Sequence, residues 1–332
     1  APTIAPQTLP AGILRVTSGE GAIDEVRLDG PQNGAVLAAL RPLATGEPVS
    51  TAQLERRLLI AGDIDGVALG ETRVLQEDGR NILLVKLAYR EFRAEITSDN
   101  DSTDPVGPLE AFGSARFNGV LGEDDSLQLF ALNAIPDVAE LSYARARYNN
   151  RISPAGTEVL VTGSYSHSAP GAYLGPLDIA GESWLGSLGL LHPLARTRGT
   201  SLWLQGELSH RQVRRDRADA LVREDRLTVL RATISGYTAF AGGRLWANAS
   251  VAQGLDLLGA NQPGDPLSSR SDADGTFTTA IFSASWARDL IAGFGVRLAV
   301  RSQIASQALL LSEEIGLGGA TLSVRAAVTG LL

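Results

Sequence analysis

The feature that most restricts the fold is a two-residue hydrophobic period that returns again and again from Phe92 onward. In Ser201–Arg211, Leu202, Leu204 and Leu208 alternate with Ser201, Gln205, Glu207, Ser209 and Arg211. In Arg244–Val251, Leu245, Ala247, Ala249 and Val251 oppose Arg244, Trp246, Asn248 and Ser250. In Val296–Ile304, Val296, Leu298, Val300 and Ile304 oppose Arg297, Arg301 and Gln303. A period of two puts each set on one face of a β-sheet. No helical period of any length interrupts the series. Turn signals divide it into about eleven strands, expected at 91–99, 108–120, 126–134, 140–150, 157–167, 180–192, 201–211, 225–238, 244–256, 276–288 and 295–306.

One face of such a sheet is aliphatic and the other carries arginine, glutamine and asparagine. A soluble sandwich buries its apolar face, whereas a membrane barrel turns it to lipid and lines a wet lumen with the polar one. The period alone does not separate the two. The connections favour the barrel, because short ones near 121–124, 153–156, 195–200, 239–243 and 289–294 alternate with long ones near 100–107, 167–179, 212–225, 257–275 and 307–324. Short turns at one end and long loops at the other are the outer-membrane pattern. Trp184, Trp203, Tyr237, Phe240 and Trp286 are expected in the interfacial girdles. Barrels of one chain usually have an even number of strands, so eleven followed by an abrupt end imply that the C-terminal part is missing or replaced.

Composition narrows the function classes. Net charge is -8, which leaves no basic footprint for nucleic acid. Cysteine is absent, so disulfides, thiolate metal sites and cysteine nucleophiles are excluded. Methionine is also absent, even at position 1, and the chain is expected to be a processed or excised piece. No apolar run is long enough for a transmembrane helix.

The first ninety residues read differently. Residues 1–10 are Pro-rich, and Ile13–Val16 is expected as a short strand. A strand over Ile23–Leu28 precedes a helix over Gly34–Leu40, closed before Pro42. A second helix begins at a capping box, Ser50 with Gln53, and stops at Gly62. Strands over Val67–Gln76 and Ile82–Tyr89 flank the turn Glu77-Asp78-Gly79-Arg80. The order β-α-α-β-β looks like a polypeptide-transport-associated (POTRA) domain over 21–90, with 1–20 a remnant of a preceding copy or a linker.

Catalytic motifs are lacking. His167, His192 and His210 are far apart, with no metal-ligand spacing. No G-x-S-x-G elbow or H-E-x-x-H occurs. Gly316–Gly319 lacks the Lys-Ser/Thr of a phosphate loop. Glu313-Glu314 fits a solvated loop or lumen feature better than an acid/base pair. The chain is expected to be no enzyme, with no catalytic residue, no metal and no cofactor.

A POTRA-like unit feeding directly into strands, then GTSLWLQGELSHR (199–211), DRLTVLR (225–231), SVAQGLDLL (250–258) and Leu310–Arg325, together resemble the haemolysin secretion/activation family. These are the outer-membrane transporters of two-partner secretion, of the ShlB/FhaC/HecB type. The most specific piece spans Gly316–Arg325, whose expected loop motif is Gly316, Gly318, Gly319, Ser323, Val324 and Arg325. The resemblance implies an α+β POTRA domain followed by an antiparallel transmembrane β-barrel over 91–332, with the eleven strands part of about sixteen. It implies a loop at 307–325 that enters the lumen, with Arg325 at its tip. Ala326-Ala327 stand where the family has Gly and an aromatic residue, and the strand that the resemblance implies for the arginine's aspartate partner is expected to lie outside these residues.

The implied function is export of one large secreted client protein, haemolysin, adhesin or contact toxin in type, from the periplasm to the surface of a Gram-negative cell. The client would be unfolded and carry an N-terminal secretion domain. The transporter would be monomeric, seated in outer-membrane lipid with its POTRA domain in the periplasm. The expected client-binding edge is Val67, Leu69, Thr72 and Val74, and the expected lumen wall is Arg244, Arg297, Arg301 and Gln303. The competing readings are a barrel-assembly factor, and a truncated non-functional barrel, adhesin or porin.

Overall fold

A computed structural model describes residues 2–3, 17–18, 21–100, 102–291 and 294–315. The expected strand at 13–16 and the motif residues Gly316, Gly318, Gly319, Ser323, Val324 and Arg325 lie outside them. The chain divides into two compact units, residues 1–89 and 90–332.

In the first unit a short pair, β1 (Pro2–Thr3) and β2 (Thr17–Ser18), precedes β3 (Glu25–Asp29), α1 (Gly34–Leu40), α2 (Thr51–Gly62), β4 (Val67–Glu77) and β5 (Arg80–Tyr89). Local chemistry sets these boundaries. Asn33 caps α1 by accepting from the Val36 N–H at 2.8 Å. Ser50 and Gln53 form the reciprocal capping box of α2. Pro42 continues α1 as one tight turn and no further. Asp78 and Gly79 both have positive φ, at 48° and 76°, which is what a two-residue hairpin between β4 and β5 requires.

The sheet order is β3-β5-β4, with β3 parallel and β4 antiparallel to the central strand. The α-helices supply Val36, Ala39, Leu40, Ile60 and Ala61 to a core closed by Leu83, Val85 and Leu87. β4 is an edge strand. Its register shifts between Leu69 and Thr72, so Leu69, Thr72 and Val74 stand opposite the buried Leu87, Val85 and Leu83 of β5, and Val67 opposite Tyr89.

The second unit is one eleven-stranded antiparallel meander, ordered in space as in sequence. Its strands are β6 (Phe92–Asp99), β7 (Leu109–Asn118), β8 (Asp125–Ile135), β9 (Ser142–Arg151), β10 (Glu158–Ser168), β11 (Ile179–Arg196), β12 (Thr200–Arg217), β13 (Ala220–Phe240), β14 (Gly243–Leu255), β15 (Thr278–Ile291) and β16 (Phe294–Ala305). Among the described residues β6 and β16 are its edges.

Because directly paired residues share a face, the register carries the two-residue period across the whole sheet. One face carries Ile96, Leu129, Val161, Leu188, Leu204, Leu230, Ile234, Val251, Phe282 and Leu298. These side chains are exposed, Ile96 at 83%, Leu188 at 57% and Val251 at 56%. A continuous exposed apolar band is what a water-soluble sheet avoids. No helix among the described residues is long and apolar enough to cross a membrane.

Two expectations are corrected here. The stretch 212–225 is not a long loop. β12 runs to Arg217 and β13 starts at Ala220, so only Ala218-Asp219 turn, with φ of 48° and 58°. The run is charged because a hairpin tip beyond the apolar band is wet on both faces, and polarity there does not break a strand. The five aromatics also divide. Trp184, Phe240 and Trp286 lie on the apolar face, but Trp203 and Tyr237 lie on the polar one, paired with Pro193 and Trp246. Trp184, beside its partner Tyr165, marks the long-loop end; Trp286, donating to the Phe240 carbonyl at 2.8 Å, marks the short-turn end.

Removing a fully buried side chain from the first unit leaves a cavity its neighbours fill poorly. Leu40→Ala should destabilise that unit by about 2–5 kcal/mol, whereas Val74→Ala, at a residue 55% exposed, should change stability by less than about 0.5 kcal/mol. Chemical denaturation followed by circular dichroism measures both.

Candidate functional site

The polar face of the sheet is where the expected wall residues meet. Arg244 pairs with Ala287, which pairs with Arg297, so these two arginines share a row across β14, β15 and β16. Arg301 pairs with Ser283, and Gln303 with Ile281, on the same face. Arg231 of β13 belongs to that face too, through Ala252 and Thr279. Period two positions every one of these side chains; no special backbone geometry is needed.

The chain after β16 turns back over this face. Leu309 and Leu310 are buried against Leu227, Val229, Ala252, Ala273 and Phe277. Around that apolar plug the polar contacts are specific. Arg231 Nη2 donates to Glu313 Oε2 at 2.6 Å, with the glutamate side chain only 10% exposed. Gln303 Nε2 donates to the Glu313 carbonyl at 2.7 Å, and its Oε1 accepts from the Ile315 N–H at 3.0 Å. One glutamine amide thus binds the segment backbone as a neighbouring β-strand would. Charged hydrogen bonds of this length are the strong class.

A second element holds the same segment from the other side. The connection 256–277 between β14 and β15 places Ser269 Oγ against the Leu311 N–H at 3.3 Å. Arg270 bonds Asp272 at 2.8 Å and reaches Glu314. Gln307 Nε2 donates to Asp274 at 3.1 Å. The connection is itself fixed to β13, where Asn261 Nδ2 donates to the Glu224 carbonyl at 3.1 Å and Ser269 N–H donates to Asp225 at 2.8 Å. The hydrogen bonds that Arg270 donates to Asp272 and Glu314 raise its pKa above the ordinary guanidinium value. The Arg270 hydrogen bond holds Asp272 below the usual carboxylate range. Its sign is therefore fixed. The bridge is complete above the ordinary aspartate pKa and is lost only as pH falls through the lowered one.

Of the expected residues, Gln303 is brought onto the returning segment, Arg244 and Arg297 share a row away from it, and Arg301 shares only the face. Sequence reasoning missed Arg231, Arg270 and the apolar anchor Leu309-Leu310. The position of Arg231 in an alternating strand signals its face, but nothing in sequence links it to Glu313, 82 residues on. The histidines stay apart. His192 bonds Thr157 Oγ1 and His210 bonds Thr228 Oγ1, each at 2.9 Å, and His167 lies 3.8 Å from Glu182. Among the described residues no three potential metal ligands gather.

Known proteins place this geometry in context. The family model described as haemolysin secretion/activation protein ShlB/FhaC/HecB matches residues 78–325. No curated protein matches the sequence. The fold is similar to that of CdiB from Escherichia coli, with TM-score 0.75 and 21% identity over 97% of this chain and 61% of that one. It is similar to CdiB from Acinetobacter baumannii, with TM-score 0.66 and 15% identity over 97% and 59%. BamA from Haemophilus ducreyi lacking POTRA domains 1-3 has TM-score 0.51 and 12% identity over 95% and 62%. The chain thus spans about three-fifths of the length of these solved proteins.

Because the native chain has no cysteine, a single Ser312→Cys probe reports on the returning segment. Arg231→Ala leaves Glu313 without its cation, which costs about 1.5–3 kcal/mol. Thiol labelling of the probe should speed up roughly ten-fold or more, and an unchanged rate would mean that the apolar plug alone holds the segment.

Proposed function

The chain belongs to the haemolysin secretion/activation (ShlB/FhaC/HecB) family, and from that premise we propose that it works as the outer-membrane transporter that exports a secreted partner protein from the periplasm to the cell surface. One observation carries the proposal beyond membership. The eleven-stranded sheet has a continuous exposed apolar face and a polar face lined by arginines. That partition suits strands with lipid on one side and water on the other. The aromatics at the two ends of the apolar face suit the two membrane interfaces.

We read the eleven strands as part of a closed transmembrane barrel and residues 21–90 as a POTRA domain. Its support is the β-α-α-β-β order with an edge strand at β4. Backbone capture at an exposed edge needs no particular client sequence. Val67 and Leu69 pack against the core, so β4 would offer a client its main chain rather than those side chains. The extended client then passes along the polar face and folds outside, where folding itself supplies direction. The segment after β16 is read as the start of a lumen-entering loop with Arg325 at its tip. The likeness to BamA is weaker than that to CdiB, which favours export over barrel assembly.

The test is secretion. The full-length gene, expressed with a neighbouring gene for a large secreted protein, should release that protein to the medium. Retention of the client in the periplasm by a correctly inserted wild-type barrel would sink the proposal. Arg325→Ala should cut secretion while leaving membrane insertion intact. Ile234→Arg, in the apolar band, should instead impair insertion, by about 2–4 kcal/mol if it falls at mid-bilayer, as read by detergent-free refolding into vesicles.

A further inference from the structure

The polar face has a second built feature, distant along the strands from the returning segment. At the short-turn ends of β12 to β16 three aromatics that face inward stack in sequence. The Trp203 and Tyr237 rings lie 5.9 Å apart, and Tyr237 and Trp246 lie 4.8 Å apart. Arg196 stands over the Trp203 ring at 5.6 Å and donates to the Tyr237 hydroxyl at 3.1 Å. Arg244 and Arg297 continue this group on β14 and β16, roughly 10 Å apart by strand spacing. Tyr237, Trp246, Arg244 and Arg297 line a cavity of about 940 Å³. Four arginines line it against one carboxylate, Asp289. Among the described residues Arg244 and Arg297 make no ion pair, and Trp246 is 49% exposed.

These features oppose the character of the chain as a whole, which carries a net charge of -8. The exposed Trp246 ring and the half-buried Tyr237 ring, beside Arg244 and Arg297, form a surface with two complementary contacts. The guanidinium forks bind carboxylates bidentately. The rings cover the peptide planes and small side chains of an extended chain at little entropic cost. A compact cation could meet the rings, but it would face four guanidiniums and a single carboxylate, Asp289.

We propose that this cradle is a receiving site for an acidic stretch of extended polypeptide, at the end of the wall where a client would enter. The position at the entry end rests on the transporter proposal, through the assignment of short turns to the periplasmic side. The preference for acidic peptide rests only on the cavity. Arg244 and Arg297 then select the client segment, and Tyr237 and Trp246 hold its backbone flat against the wall.

The test uses full-length protein in detergent and two fluorescent peptides of equal length, a glycine–glutamate repeat and a glycine–lysine repeat. The acidic peptide should bind at least ten-fold more tightly, and its affinity should fall as salt rises. Arg244→Gln with Arg297→Gln should weaken it roughly ten-fold, while the paired lysine substitutions, which keep the charge but lose the bidentate fork, should weaken it less than the glutamines do and so guard against a folding defect. Arg145→Gln, on the same face but on β9, should change nothing. Equal binding of the two peptides, or acidic binding that survives the double glutamine variant, would overturn the site. So would displacement by inorganic phosphate at matched charge, which would make it a simple anion site. Secretion by the wild type is scored separately, so a failed transporter and a failed cradle give different results.

Discussion

Everything in the second unit follows from one constraint on the backbone. A strand whose apolar face is exposed cannot leave its N–H and C=O groups unpaired in an apolar medium, where each orphan costs several kcal/mol. The meander answers this by pairing every strand with its sequence neighbours, so that only β6 and β16 remain as edges among the described residues. Antiparallel pairing then forces the side chains into two sets. One set is aliphatic from β6 to β16, and the other gathers the arginines. No strand can change face without a slip that would move all of its side chains together.

The polar face is more than a wet lining. At the long-loop end it receives the chain's own continuation, held by Leu309 and Leu310 in an apolar plug and by Arg231, Gln303 and Arg270 around it. The connection between β14 and β15 closes over the same segment and is tied to the tip of β13. Two long connections therefore stabilise each other, and neither has a complete set of partners alone. Among the described residues the short-turn end of the face is left uncovered and presents rings and arginines instead.

Much of this was legible in the residue order. The positions expected for strands agree closely with those found; the first helix closes before Pro42, and the second runs from its Ser50 cap to Gly62, both as expected. Arg244, Arg297, Arg301 and Gln303 fall on one face as period two requires. The errors are instructive. The hairpin tip of β12 and β13 was hidden by its charge, because strands outside the apolar band need no alternation. Trp203 and Tyr237 were expected at the interfaces, since aromatic character alone does not tell which side of a sheet a ring occupies. Their odd positions already put them with Ser201 and Arg231.

Sequence by itself determined the strands, the turns and the chemical character of each face, because those depend on residues two apart or on a local cap. Only the tertiary structure decided which distant groups meet. Glu313 finds Arg231 across 82 residues, and Tyr237 comes to lie between Trp203 and Trp246. Such meetings depend on strand register and on the path of long connections. These are set by the summed pairing of the whole sheet rather than by any short stretch of it.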